Sequence, residues 1–454
     1  MKVLWLCNIM LPAVARKLNR EASNKEGWIS GLADTLLKNR EKNGIRLYVA
    51  FPVQEEPVPD GLEVDSMVCY GFREDVAHAE KYEESLEPAL EKIVNKVEPD
   101  IVHCFGTEFA HTLAMCRVFP RKERILVGLQ GLCSLIAEAY YADLPGAVVE
   151  SATFRDLVRR DSLRQQQEKF VLRGRREREI IGLAGNLTGR TPWDRMHSGK
   201  WNPDARYHTM NETLRGEFYG CAWKEADCIP HSIFLSQGDY PLKGLHYMIL
   251  ALPRILEKYP DAAVYVAGNS LVEYGTWKQK LKISAYGKYL RKLLRETGTE
   301  DKVIFIGRLD GGQMRARYLR SSLFVCPSSL ENSPNSLGEA MLLGMPCIAA
   351  AVGGIPGIFD GGRDGILYDG FVMRDDWGTR GMEDGESGGE LERISGNLAR
   401  AVLEMWGNPG MREEYCRNAA LHARQTHDRD ANYRRLLEIY SQLEGTGKTS
   451  GNKQ

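Results

Sequence analysis

Two carboxylates and one lysine carry most of the chemistry legible in this chain. Glu331 and Glu339 stand with seven residues between them inside Pro327–Gly354, PSSLENSPNSLGEAMLLGMPCIAAAVGG. That stretch predicts a strand end, a tight loop, a helix, a turn and a short strand. Ser333 suits the N-cap, Pro334 the first helical position, and Leu337, Ala340, Met341 and Leu343 the apolar stripe, with Gly344 as the stop. A helix start presents unpaired amides and a partial positive charge, so it takes anions. An acid on the loop above it and a second about two turns inside it can hold hydroxyls on either side of a bound diphosphate. This is the outline of a nucleotide-sugar site.

Expelling a diphosphate from a sugar requires negative charge to be stabilised on the leaving group and positive charge to be tolerated at the anomeric carbon. Cations and helix starts serve the first need, carboxylates and carbonyls the second. The loop Ser236–Gly244, SQGDYPLKG, offers Lys243 as the cation, together with Gln237 and Gly238. A lone lysine before a glycine is most often a surface residue. This one gains weight because it follows a strand at the edge where Glu331 is expected.

The elements that must position these groups alternate. Strands are expected at Val3–Cys7, Arg46–Phe51, Pro99–Phe105, Arg124–Gln130 and Glu179–Thr188, with helices at Gly27–Leu37, Leu86–Val97 and Ala110–Arg117. Trp223–Pro230 reads as a link. A second alternation follows: strand Ser232–Ser236, helix Gly244–Glu257, strand Ala262–Ala267, helix Lys280–Glu296, strand Lys302–Ile306 and the stretch described first. Gly365–Tyr368 is a further strand, Phe371–Glu390 a mobile loop, and Leu391–Trp406 and Asn432–Leu443 are helices. The pattern predicts an α/β chain of two doubly wound parallel sheets with ligands beyond the strand C-termini. The expected domains are 1–228 and 229–443, the last helix packing back on the first domain, with 444–454 a flexible tail.

Composition narrows the class. The chain has 454 residues, 43% apolar and 27% charged, and a formal charge of −1, which gives no reason to expect nucleic acid as a partner. Ten cysteines form no C-x-x-C pair and nine histidines no H-x-x-x-H pair, so buried reduced thiols and no metal are expected. No apolar run approaches the roughly 20 residues of a membrane span, and a cytoplasmic location follows. Phe154–Arg178 holds arginines at 155, 159, 160, 164, 173, 175, 176 and 178. It reads either as a solvated helix laced by pairs such as Asp156–Arg160, or as a basic face meeting anionic lipid headgroups of the inner membrane surface or a diphosphate-bearing lipid. Two motifs are decoys. Gly445–Thr449 imitates a phosphate loop with no strand before it, and Asp428-Arg-Asp430 reads as helix capping.

Taken together, these residues resemble the family 4 retaining glycosyltransferases of the two-Rossmann-domain (GT-B) type. Glu331 and Glu339 match the E-x7-E signature within ENSPNSLGEAM, followed by GMPCIAAAVGGIPG. VHCFGTEFAHTLAM (102–115), GRTPWD (189–194) and NETLRGEFY (211–219) extend the likeness, which is strongest across 231–370 and points to bacterial capsular or exopolysaccharide enzymes. The resemblance implies two Rossmann-like domains facing each other across a cleft. It also implies hexosyl transfer from a UDP-sugar in preference to a GDP-sugar, to a glycan or lipid-linked acceptor, with no cofactor. Glu331 would hold sugar hydroxyls, Glu339 the ribose, and Lys243 the diphosphate. The backbone at Pro334, Asn335 and Ser336 would contact the donor, and Gly27 would let the first loop approach the phosphates. Asn269, Arg308 and the 271–285 region would shape the pocket. Three positions depart from the family pattern. Gln237 stands where an arginine is usual, which leaves phosphate charge to Arg308 or Arg190. His103-Cys-Phe105 replaces His-x-His, which leaves the second histidine's role to Glu108 or His111. Glu26-Gly27 replaces a glycine pair. A non-catalytic nucleotide- or glycan-binding partner, suggested by Gln237 and Phe105, and a nucleotide-sugar epimerase stay open as other readings.

Overall fold

Apolar runs such as Val3–Leu6, with no exposed surface at all, become strands buried on both faces. In the computed structural model, which describes residues 1–20, 27–54, 57–272, 276, 281–373 and 384–445, such strands form two sheets. The first contains β1 (Lys2–Leu6), β2 (Arg46–Val53), β3 (Leu62–Val64), β4 (Met67–Arg73), β5 (Ile101–Phe105), β6 (Ile125–Gly128), β7 (Asn186–Gly189) and β8 (Arg206–Thr209). Its order is β3-β4-β2-β1-β5-β6-β7-β8, parallel except for the β3–β4 hairpin. The second contains β9 (Ile229–Leu235), β10 (Ala263–Val266), β11 (Val303–Phe305), β12 (Ser321–Cys326), β13 (Cys347–Ala350) and β14 (Ile366–Tyr368), all parallel, in the order β11-β10-β9-β12-β13-β14. Strand order therefore reverses between β1 and β5 in one sheet and between β9 and β12 in the other. Connections leave such neighbours in opposite directions, and this opens a crevice beyond their C-terminal ends.

The chain divides into two compact units: Met1–Leu135 with Lys169–Gly216 and Thr426–Gln454, and Ile136–Glu168 with Glu217–Gln425. This differs from one cut at 228. Ile136–Glu168 groups with the second unit through buried polar contacts: His246 Nε2 donates to the Ala142 carbonyl (2.9 Å), Tyr247 to Asp143 (2.9 Å), and the Ala285 amide to Asp156 (2.9 Å). The C-terminal helix Arg429–Gly445 joins the first unit, burying Leu436, Ile439 and Tyr440 against Trp5 and its neighbours.

Several expected boundaries move. The arginine-rich segment is two helices, Phe154–Arg159 and Leu163–Leu183, so Glu179–Leu183 is helical and the strand begins only at Asn186. Arg160 ends the first helix in the left-handed region (φ 50°), which removes the Asp156–Arg160 pairing; Asp156 pairs with Arg155 instead, at 2.8 Å. The expected loop 371–390 is shorter, because a helix runs Asp384–Gly407 and is steadied by the Glu390–Arg393 ion pair at 2.7 Å. Residues 374–383 and the tail 446–454 lie outside the described residues. Asp428 does cap the last helix, its Oδ1 accepting from the Ala431 amide at 2.6 Å. The hairpin β3–β4 and the helix Pro409–Thr426 were not expected.

Candidate functional site

In the second unit, the loops that leave β9 and β12 meet beyond the strand reversal. Gly244 makes that meeting possible. It sits at φ 70°, and a Cβ there would overlap the Pro327 carbonyl. The Leu242 carbonyl accepts from the Ser329 amide at 2.8 Å and so ties the two loops together. Lys243 is thereby delivered to Glu331, Nζ to Oε1 at 2.6 Å, and Ser328 Oγ donates to the same oxygen at 2.8 Å. The Glu331 carbonyl accepts from the Gly354 amide (2.9 Å), so the residue is held by both main chain and side chain. Burial alone would lower the Lys243 pKa, but the Glu331 carboxylate outweighs it and holds the ammonium well above the ordinary lysine range. Oε2 of Glu331 carries no hydrogen bond among the described residues.

Next in sequence, the helix Asn335–Leu343 starts one residue later than expected, with Pro334 as its N-cap and no side chain capping it. The Pro334 carbonyl takes the Leu337 amide at 3.0 Å. Among the described residues the amides of Asn335 and Ser336 have no acceptor, and no acid sits in the first turn. Glu339 is buried just over one turn into this helix, about 6 Å of rise from Asn335 and closer to its start than expected. Gly344 closes the helix in the left-handed region (φ 73°). Gln237 is partly exposed on the loop after β9. Gly238 is a packing position, where a Cβ would press on Val266 and Leu245. Asn269 and Arg308 are exposed at the ends of β10 and β11, one and two strands away from β9. Of the 271–285 region, 273–275 and 277–280 lie outside the described residues.

In the first unit, the ends of β4, β1 and β5 deliver a second cluster. His111, the second residue of the helix Ala110–Val118, is fully buried. Its Nδ1 meets Glu74 Oε2 at 2.5 Å, its amide donates to Glu74 Oε1 at 3.3 Å, and its Nε2 meets Asn8 Oδ1 at 3.0 Å. Both ring nitrogens thus face side-chain oxygens, which fixes the plane of the ring. Burial would raise the Glu74 carboxyl, yet His111 holds it below the ordinary carboxylate range. The Asn8 amide turns its Nδ2 to Glu108 Oε2 at 3.5 Å. Burial pushes the Glu108 carboxyl up, and the Arg173 guanidinium offsets this only in part. Gly106, at φ 106°, leaves the space that the Asn8 and Glu108 side chains occupy. Glu74, Asn8 and Ser328 were missed from the sequence. Each lies within two residues of a strand end, the one signal that pointed to them. Gly27 opens the helix Gly27–Lys38, and 21–26, with Glu26, lie outside the described residues. Arg190 does not serve as a free phosphate cation: its Nη1 lies 2.6 Å from Glu212 Oε2.

The described residues contain no group of His, Cys, Asp and Glu able to hold a metal ion. Among them, no helix is long and apolar enough to cross a membrane.

Residues 231–375 match the sequence model of the family described as Glycosyl transferases group 1. An uncharacterized glycosyltransferase of Methanocaldococcus jannaschii is 30% identical over 124 residues, which is 27% of this chain and only 28% of that relative's own length. The fold is similar to that of sucrose-phosphate synthase from Thermosynechococcus elongatus, with TM-score 0.67 and 14% identity, covering 98% of this chain and 100% of the other. It is also similar to Anabaena HepE in complex with UDP-glucose, with TM-score 0.61 and 15% identity, covering 97% and 99%. At such identities the likeness is one of fold: two α/β domains with parallel sheets, as in GT-B structures.

Proposed function

We propose that this chain is a retaining, metal-independent glycosyltransferase of polysaccharide synthesis. It moves a hexosyl group from a nucleotide diphosphate sugar, UDP-linked in preference to GDP-linked, to a glycan or lipid-linked acceptor. The observation that carries this reading is the Lys243–Glu331 contact at 2.6 Å, beside a helix whose first amides are unpaired. The group 1 glycosyltransferase match over 231–375 supports it, as does the fold shared with a protein seen with UDP-glucose.

In this reading Lys243 and the amides of Asn335 and Ser336 take the diphosphate and stabilise its charge as it leaves. Glu331 Oε2 accepts from a sugar hydroxyl, and Glu339 takes the ribose. Attack occurs on the face from which the phosphate departs, and a phosphate oxygen removes the acceptor's proton, so the configuration is retained without a protein nucleophile. Glu108, with its carboxyl pushed up, and His111, fixed by Glu74, face the acceptor. The chain works in the cytoplasm against the inner membrane surface. Supporting this, Phe154, Leu157 and Val158 on one short helix are 64%, 68% and 67% exposed, beside the exposed Arg159 and Arg160.

A panel of UDP- and GDP-hexoses tests the reading through release of nucleoside diphosphate, with and without EDTA. Turnover of a UDP-hexose that EDTA leaves unchanged is expected. Tight nucleotide binding with no turnover of any donor would replace the enzyme with a binding protein.

A further inference from the structure

Buried polar atoms without partners are uncommon, and each one asks for an explanation. Among the described residues ten side-chain atoms are in that position. Three of them, Arg190 Nη1, Glu212 Oε2 and Thr213 Oγ1, line a single pocket of the first unit. The pocket lies beyond the C-terminal ends of β5, β6, β7 and β8, and His103, Gln130, Thr188 and Asn211 complete its polar wall. Arg190 Nη1 and Glu212 Oε2 are close but lack hydrogen-bond alignment, so a hydrogen on one and a lone pair on the other are left over. Gln130 holds both partners from behind, donating to Glu212 Oε1 at 3.1 Å and accepting from Arg190 Nη2 at 3.3 Å. His427 Nδ1 pins the Glu212 carbonyl at 2.7 Å.

His103 adds a donor, and the C-terminal helix decides which nitrogen carries it. The buried Tyr440 oxygen accepts from Trp5 Nε1–H at 2.8 Å, because an indole can only donate. Its own hydrogen then serves His103 Nδ1, also at 2.8 Å. The ring proton is thereby placed on Nε2, which faces Gly128 in the pocket wall and has no partner among the described residues. Burial pushes the His103 pKa down to about 3, so the ring is neutral.

We propose that this pocket grips a hydroxyl or hydroxymethyl group of a neutral sugar on the acceptor, a role that rests on the glycosyltransferase reading above. A hydroxyl both accepts and donates, so one such group satisfies Arg190 and Glu212 together. A second hydroxyl accepts from His103 Nε2–H and reaches Thr213 Oγ1. The ion pair cancels its own charge, which disfavours phosphates and carboxylates as occupants. The interior volume of about 30 Å³ admits a substituent of a sugar ring but not the ring itself.

The test is ligand-observed NMR on the full chain with methyl hexosides and, separately, hexose 6-phosphates, alongside calorimetry with UDP. The wild type should contact the neutral glycosides. Thr213→Val should weaken that contact by up to about tenfold while leaving UDP affinity unchanged. Glu212→Gln, which keeps the size and leaves Arg190 unbalanced, should move preference toward the phosphorylated sugars, an effect that loss of packing alone does not produce. Glycoside contact undiminished in both variants, or loss of UDP affinity in step with it, would overturn the proposal. If the wild type contacts glycosides but binds no nucleotide, the transferase reading fails and the sugar pocket stands.

Discussion

Among single residues, Lys243 and Glu331 were legible from their types and from the strand edge they share. Their contact fits that reading: a partly buried ammonium beside a carboxylate stays charged and so stays able to meet phosphate. Lys243→Met keeps the chain length and removes the charge. UDP affinity measured by calorimetry should fall roughly ten- to hundredfold, as expected for a charged hydrogen bond. His111 was also legible as a candidate, but its partners Glu74 and Asn8 were not, because they lie 37 and 103 residues away. Glu74 carries a pH prediction. Its carboxyl is depressed in the folded state, so its stabilisation is complete above the ordinary value of 4.5 and is lost as pH falls below it. Glu74→Gln should lower stability at pH 7 by about 2 kcal/mol. It should also flatten the fall of the urea midpoint below pH 4.5; an unchanged acid limb would refute the pairing.

Among elements, the junction of the β9 and β12 loops depends on one glycine. Gly244→Ala asks for a left-handed alanine and a Cβ inside the Pro327 carbonyl. It should cost more than about 1 kcal/mol and, by moving Lys243, weaken UDP binding; equal affinity would mean the loops do not position the lysine. The arginine-rich segment shows where a pattern along the chain stops being informative. Its composition suggested one basic face, but Arg173 and Arg176 turn inward to the carbonyls of Glu108, Ala79 and Lys81. Arg159 and Arg160, next to Phe154, Leu157 and Val158, keep the membrane reading. Each arginine near an anionic surface contributes about 1 kcal/mol. The double substitution Arg159→Ala, Arg160→Ala should therefore reduce co-sedimentation with phosphatidylserine vesicles roughly thirtyfold. Binding that is unchanged, or equal on neutral vesicles, would remove this helix from the membrane.

At the scale of the whole molecule, the chain returns to its beginning. Leu436, Ile439, Tyr440 and Leu443 are at most 1% exposed, and burial of such side chains contributes about 1.5–3 kcal/mol each. Their sum rivals the total stability of a typical domain, about 5–15 kcal/mol. Truncation after His427 should therefore leave the first sheet unable to fold, read as loss of soluble protein; a soluble, cooperatively melting product would contradict this. The alternation of strands and helices, the loops that carry Glu331 and Lys243, and the helix that carries Glu339 were determined by the sequence alone, because periodicity, caps and turn residues act between near neighbours. Only the tertiary structure decided that 136–168 belongs with the second sheet, that Arg190 is neutralised by Glu212, and that Tyr440 sets the proton on His103. Those outcomes depend on buried polar groups finding partners up to 337 residues away, and separation along the chain carries no signal for them.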